Sequence, residues 1–328
     1  MIEQAAGYRY GRADGLDVLA ELEPWVARNL DRHLAATPTC YPHQHVPWGI
    51  GSGFAGPLGG RPWQPEEATL PQAVRDALIV NPLTEDNLPS YHHKIATRFG
   101  REGAWGTWVH RWNAEEDRYA HALRAYLTTT RAVDPVALEQ CMRHLCRGFA
   151  YDRPSVLHAL AYVTVQELAT RVAHRNAGQH CPDAAGAALM ARVAADENLH
   201  MIFYRDVCRT AADILPDLFL RTYSEVLEAF RMPGQGTAEL TARAARIAAA
   251  GISDVRVHHE QVVLPLVRHL GLMDRTGLGP VGEQAHEALA RYLEDLRRRS
   301  ASLEALRPRL TSPARAGVPT GRDGHGGG

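Results

Sequence analysis

Two stretches of this chain repeat one arrangement of metal-ligating side chains at nearly equal spacing, and few folds accommodate that. Glu197 and His200 stand three apart in Ala195-Asp196-Glu197-Asn198-Leu199-His200. Glu116 and Tyr119 hold the same frame in Ala114-Glu115-Glu116-Asp117-Arg118-Tyr119. A lone Glu85 lies 31 residues before Glu116, and a lone Glu167 lies 30 before Glu197. On a helix, residues three apart share a face one turn apart, so each Glu-x-x-ligand pair can grip one ion from one side. One Glu from each of two helices and Glu-x-x-His from each of two others is the ligand order of a four-helix bundle that holds two metal ions. The pattern breaks at Tyr119, where a second histidine would complete it.

The remaining sequence suits such a bundle. Periodicity predicts helices at roughly 17–35, 71–99, 103–130, 134–150, 154–177, 183–210, 214–231, 236–251, 254–270 and 281–304, with few strand-like alternations. Leu16, Leu19, Leu22 and Trp25 read as the apolar face of the first helix. Asp134, Ser253 and Asp254 suit N-caps, and Gly100, Gly178 and Gly271 suit helix ends. The Pro-, Gly- and aromatic-rich stretch 37–68 excludes regular helix, and its aromatics suggest that it packs onto the bundle. The reading is all-α: a ferritin-like four-helix bundle with additional helices, as one domain over 1–306, followed by a disordered tail over 307–328.

Composition narrows the partners. A formal net charge of −1 among 328 residues lacks the basic excess of a nucleic-acid binder, although Arg297-Arg298-Arg299 forms a local run. That run reads first as a solvated helix end. Five scattered cysteines, none in a Cys-x-x-Cys pair, suit reduced thiols in the cytoplasm. Cys141 and Cys146 share a helical stretch but read as packing residues. No leader pattern and no apolar run of about 18 residues stands out, so neither a signal peptide nor a membrane span is expected.

Four carboxylates converging in one core would each cost several kcal/mol unless cations compensated them. Hard and borderline ligands of this kind suit iron or manganese better than copper. Asp196, beside Glu197, could orient a ligand. Thr170, one turn after Glu167, points its hydroxyl to the same pocket or bonds the carbonyl a turn back. Trp105, Trp108 and Trp112 read as a core stripe, with Trp112 one turn before Glu116.

Four segments carry a family resemblance: Thr84-Glu85-Asp86-Asn87-Leu88-Pro89-Ser90-Tyr91, Ala114-Glu115-Glu116-Asp117-Arg118, Gln166-Glu167-Leu168-Ala169-Thr170 and Asp196-Glu197-Asn198-Leu199-His200. Together with Tyr41-Pro42-His43 and Arg131-Ala132-Val133-Asp134-Pro135, they resemble the soluble acyl-acyl-carrier-protein desaturases, in their actinobacterial branch, from about residue 40 to 270. The resemblance implies a homodimer, two iron ions, a ferredoxin-type electron donor and an acyl chain delivered on an acidic carrier protein. It also implies Glu85, Glu116, Glu167, Glu197 and His200 as metal ligands, and Thr170 beside dioxygen. Trp63 and Asp196 would lie on a route from the surface to the irons, and His174 matches a family histidine.

Tyr119 departs from the family's histidine and leaves three outcomes: a phenolate ligand, a stand-off with water completing the shell, or a weak metal position. His121 cannot replace it on a regular helix, being turned about 140° from Glu116. The expected reaction is dioxygen-dependent oxidation of the acyl chain to a cis alkene. The alternatives are a tailoring oxygenase acting on another acyl or amino-acyl group, and a non-catalytic relative.

Overall fold

Helix caps and apolar stripes decide where each element begins and which face turns inward. The structure, a computed structural model, describes residues 12–13, 16–85, 88–145, 155–231 and 238–311. A two-residue ribbon pairs β1 (Arg12–Ala13) with β2 (Leu16–Asp17) ahead of α1 (Val18–Ala36). Then come α2 (Gln72–Glu85), α3 (Leu88–Phe99), α4 (Gly103–Thr129) and α5 (Pro135–Leu145). The long α6 (Val156–His180) and α7 (Ala184–Ile214) follow, then α8 (Pro216–Ala229) and α9 (Ala238–Ala249). A short α10 (Val255–Val257) runs through a π-helical segment (His258–Val263) into α11 (Leu264–His269), and α12 (Pro280–Thr311) ends the described chain. Side chains of Asp17, Ser155, Asp183 and Asp254 each accept a first-turn backbone N–H, which satisfies donors that the helix cannot.

Four of these helices close a ring: α2 on α4, α4 on α7, α7 on α6 and α6 on α2. The α6–α7 contact is the most extensive in the molecule, and α6 is buried on nearly every side from Val156 to Leu168. At Gly178 a Cβ would come within 2.8 Å of the Met190 Cβ, so the absence of a side chain there lets α6 lie close against α7. Around the ring, α1 covers α4 and α7, while α8 and then α12 cover α6.

The interior is two apolar clusters with a polar layer between them. One gathers Trp105, Trp108, Trp112, Leu168, Val172, Met201, Phe203 and Tyr204 with much of α1 and α8. The other gathers Tyr119, Leu123, Tyr126, Leu189, Met190 and Val193 with α2 and α9. Along α4 the sequence passes from Trp112 to Tyr119 between the clusters, and along α7 from Val193 to Met201. Glu116, Glu197 and His200 sit in those two intervals, between thick greasy ends that exclude water and supply the driving force for folding.

Several local expectations need correction. Of the predicted helix 71–99, the structure describes α2 up to Glu85 and α3 from Leu88, and residues 86–87 lie outside the described residues. The buried stripe of α1 is Val18, Leu22, Val26, Asn29, Leu30 and His33, whereas Trp25 is 40% exposed under the Arg28 guanidinium. Gly178 lies inside α6 and does not end it; Gly100 and Gly271, with φ of 90° and 60°, do follow helix ends. Helix α12 continues to Thr311, past the expected tail boundary at 307; residues 312–328 lie outside the described residues.

The 37–68 stretch has no α-helix; it has 3₁₀ turns at Pro42–Gln44, Trp48–Ile50 and Pro65–Glu67, and isolated bridges pair Phe54 with Arg61 and Gly56 with Gly59. Arg131 ties it down through the carbonyls of Ser52, Gly53, Arg61 and Pro62, the Glu67 carboxylate and the Phe54 ring. Packing of its aromatics is partial, for Tyr41 and Trp48 are more than half exposed. Among the described residues, no helix is long and apolar enough to cross a membrane.

Candidate metal centre

The polar layer brings Glu116 from α4, Glu167 from α6, and Glu197 and His200 from α7 to one point. One ligand atom from each lies within 4.8 Å of the others, and all four residues are buried. His200 Nδ1 is 2.7 Å from Glu116 Oε1 and 3.5 Å from Glu167 Oε2. None of these three atoms has an aligned hydrogen-bond partner. Buried carboxylates left so would be costly, and a divalent cation among them removes the cost. Three carboxylates and an imidazole are a donor set that fits iron or manganese. Glu85 ends α2, one of the four ring helices, and its side chain lies outside the described residues.

A second set of residues orients the first. Glu115 Oε2 accepts from His200 Nε2 at 2.8 Å and from His33 Nε2 at 2.9 Å. Arg111 and Arg118 flank the other oxygen at 2.5 and 3.5 Å. With Nε2–H committed to Glu115, a neutral His200 presents the Nδ1 lone pair to the cluster. Trp112 Nε1 donates to Glu167 Oε1 at 3.0 Å. Thr170 Oγ1 donates to Glu197 Oε2 at 3.0 Å while also lying 3.1 Å from the carbonyls of Gln166 and Glu167. The hydroxyl, with one proton to donate, thus lies within reach of both the cluster and the carbonyls a turn back. Trp108 stacks on Phe203 at 3.5 Å between centroids and turns its edge to His33 and His200, which walls the site with aromatic surface.

Electrostatics follow from this crowding. Burial would raise the Glu115 carboxyl, but its bonds to His200 and His33 outweigh that and hold it well below the usual carboxylate range. Burial opposes a charge on His200, yet Glu115 and Glu116 hold its pKa well above that of a free histidine. Glu167 is pushed up by burial and by the charge of Glu116. Burial pushes His174 down to about 3 and keeps it neutral, with Nδ1 3.0 Å from Asn81 Nδ2 and Nε2 3.7 Å from Glu197 Oε1.

Tyr119 is buried beside the cluster, its ring centroid 6.2 Å from that of His200, and its hydroxyl has no hydrogen-bond partner. Burial first, then Glu116, Glu197 and Glu115, raise its pKa well above 10, so the metal-free site holds a neutral phenol. The doubled pattern makes Tyr119 the counterpart of His200, and Asp196 the counterpart of Glu115. Glu115 reaches across to His200; Asp196 instead pairs with Arg192 on its own helix. One half of the pattern therefore has an oriented imidazole, and the other a phenol with its would-be acceptor occupied elsewhere.

Other expected residues stand outside the cluster. Trp63 Nε1 donates to the Arg131 carbonyl at 2.9 Å. His121 faces solvent and pairs with Asp117. Arg297, Arg298 and Arg299 pair with Glu294 and Asp295 along exposed α12, as a solvated helix would. Cys146 lies outside the described residues; Cys40, Cys141, Cys181 and Cys208 are not joined in disulfides. Sequence reasoning missed Glu115 and His33. Glu115 had a signal, since an acid precedes the ligand glutamate in both halves of the pattern; His33 had none beyond the α1 stripe.

Residues 14–315 match the family model described as fatty acid desaturase. A Mycobacterium tuberculosis protein provisionally named acyl-[acyl-carrier-protein] desaturase DesA1 is 42% identical over 290 residues, covering 86% of each chain. The X-ray structure of its provisionally named relative DesA2 superposes with a TM-score of 0.68 at 29% identity, over 81% of this chain and 98% of that one. A chloroplastic acyl-[acyl-carrier-protein] desaturase 6 of Oryza sativa is 29% identical over 236 residues, 66% of this chain and 56% of the rice protein.

Proposed function

Because the chain belongs to the fatty acid desaturase family, we propose that it removes two hydrogens from an acyl chain presented on an acyl carrier protein. Iron held by Glu85, Glu116, Glu167, Glu197 and His200 would serve the reaction, with manganese as the alternative metal. The observation that carries this reading is the buried convergence of Glu116, Glu167, Glu197 and His200 at one point. When bound, the metal supplies the redox chemistry by which dioxygen takes hydrogen from an unactivated carbon. The balance is CH₂–CH₂ plus O₂, two electrons and two protons giving CH=CH and two waters. The electrons come from a ferredoxin-type donor, and the working unit is a cytoplasmic homodimer.

The protein's own share is positional. Glu115 fixes the tautomer of His200, Trp112 holds one oxygen of Glu167, and Thr170 holds one oxygen of Glu197. The two apolar clusters keep bulk water from the polar layer, which strengthens each of these interactions. Tyr119 supports a second reading, in which an unequal ligand set diverts the outcome from alkene to alcohol.

The test is to load the full chain with ferrous iron under anaerobic conditions, count iron per chain, then add acyl carrier substrate, reduced ferredoxin and dioxygen. A product lighter by two hydrogens supports desaturation, and a gain of one oxygen supports the second reading. A protein that neither retains iron nor consumes dioxygen would sink both.

A further inference from the structure

A cavity of about 370 Å³ opens where α6, α7 and the π segment with α11 meet. On α6 its lining is one stripe, Leu168, Arg171, Val172 and Arg175; Met201 and Arg205 on α7, and Gln261, Pro265, Leu266 and His269, complete it. The floor is apolar and buried: Leu168, Val172, Met201 and Leu266. The rim is cationic. Arg171 is half-buried and has no acidic partner among the described residues, and Arg175, one turn on, donates to the neutral amide oxygen of Gln261 at 3.1 Å. The carboxylate that meets Arg205 is Asp206, and it is shared with Arg32 at 2.7 Å and His269 at 3.7 Å.

The backbone is also built for this cavity. Pro265 has no N–H for the carbonyl of Gln261, so the preceding turn runs in π register, with the Leu264 N–H on the His259 carbonyl. That widened turn presents Gln261 to Arg175, and π turns concentrate at functional sites.

We propose that this cavity binds a phosphate monoester carried on an apolar body, with the phosphate between Arg171 and Arg175 and the apolar part on Leu168, Val172, Met201 and Leu266. Two guanidiniums one turn apart without a carboxylate between them match a doubly charged head group, which each fork can bind in a bidentate way. The volume is that of a small-molecule site. The proposal does not depend on the metal reading, because none of these side chains is a candidate ligand.

Calorimetric titration of the full chain tests it with four probes: octyl phosphate below its micellar concentration, octyl sulfate, adenosine monophosphate and inorganic phosphate. Octyl phosphate is expected to bind one to one, roughly tenfold or more tighter than the other three, the double charge and the apolar body each contributing. The variants Arg171→Gln and Arg171→Gln/Arg175→Gln are expected to lose at least about tenfold for octyl phosphate. Arg291→Gln on exposed α12 should lose nothing, with unchanged melting curves throughout. Equal affinity in the double variant overturns the site. Adenosine monophosphate binding more tightly than octyl phosphate overturns the ligand class, and octyl sulfate matching octyl phosphate overturns the charge argument.

Discussion

Replacing Glu115 by Gln isolates what orientation contributes to the candidate centre. The substitution keeps an acceptor oxygen beside His200 and His33 but removes the negative charge shared by two imidazoles and two guanidiniums. An outer carboxylate behind a ligand histidine is worth about 10–100-fold in metal affinity. That factor corresponds to about 1.4–2.7 kcal/mol. The Glu115 oxygens are buried and the His200 contact is short, at 2.8 Å, so the upper half of the range is expected.

The assay is anaerobic titration with cobalt(II), followed by its visible absorption, and a repeat with iron(II). A second readout comes from acid unfolding. Glu115 has a depressed folded-state pKa, so its stabilisation is present above the unfolded carboxylate pKa and fades as pH falls through the folded value. Wild type should therefore lose stability below about pH 4.5 more steeply than Glu115→Gln. Cobalt affinity unchanged within a factor of two, with parallel acid curves, would refute the reasoning.

Metal affinity of the wild type should rise with pH. His200 in the metal-free chain has a raised pKa, and its Nδ1 proton must leave before a cation can bind there; proton release on cobalt binding, measured in two buffers of different ionisation enthalpy, checks this. By the same raised pKa, the imidazolium stabilises the metal-free fold fully below about pH 6.5, and that contribution is lost as pH rises through the folded value. Trp112→Phe keeps most of the ring packing but deletes the donor to Glu167, so metal binding should weaken by about 1.5–3 kcal/mol, read from the same titration. Tyr119→His with Arg192→Leu supplies an imidazole and frees Asp196 to orient it, and iron per chain should move toward two; an unchanged count would show that this half of the pattern is not limited by these residues.

The sequence by itself determined the all-α class, the family and the bundle's polar layer, because helical spacing converts directly into shared faces. Glu197 and His200 must face one way wherever the helix goes, and the Glu116–Tyr119 frame repeats that constraint. Proline and glycine positions likewise bounded most helices, although Gly178 turned out to serve packing instead of termination. Only the tertiary structure decided which helices touch. The meeting of Glu115 with His33 joins residues 82 apart in sequence, and no periodicity encodes which turn of α1 lies over α4. The diversion of Asp196 to Arg192 was equally invisible, since spacing gives a side chain's face but not which of two neighbours its charge selects. The physical reason is common to both: local geometry is set within a few residues, whereas a charge-compensating partner in a dry interior is set by what the packing of distant helices leaves within about 3 Å.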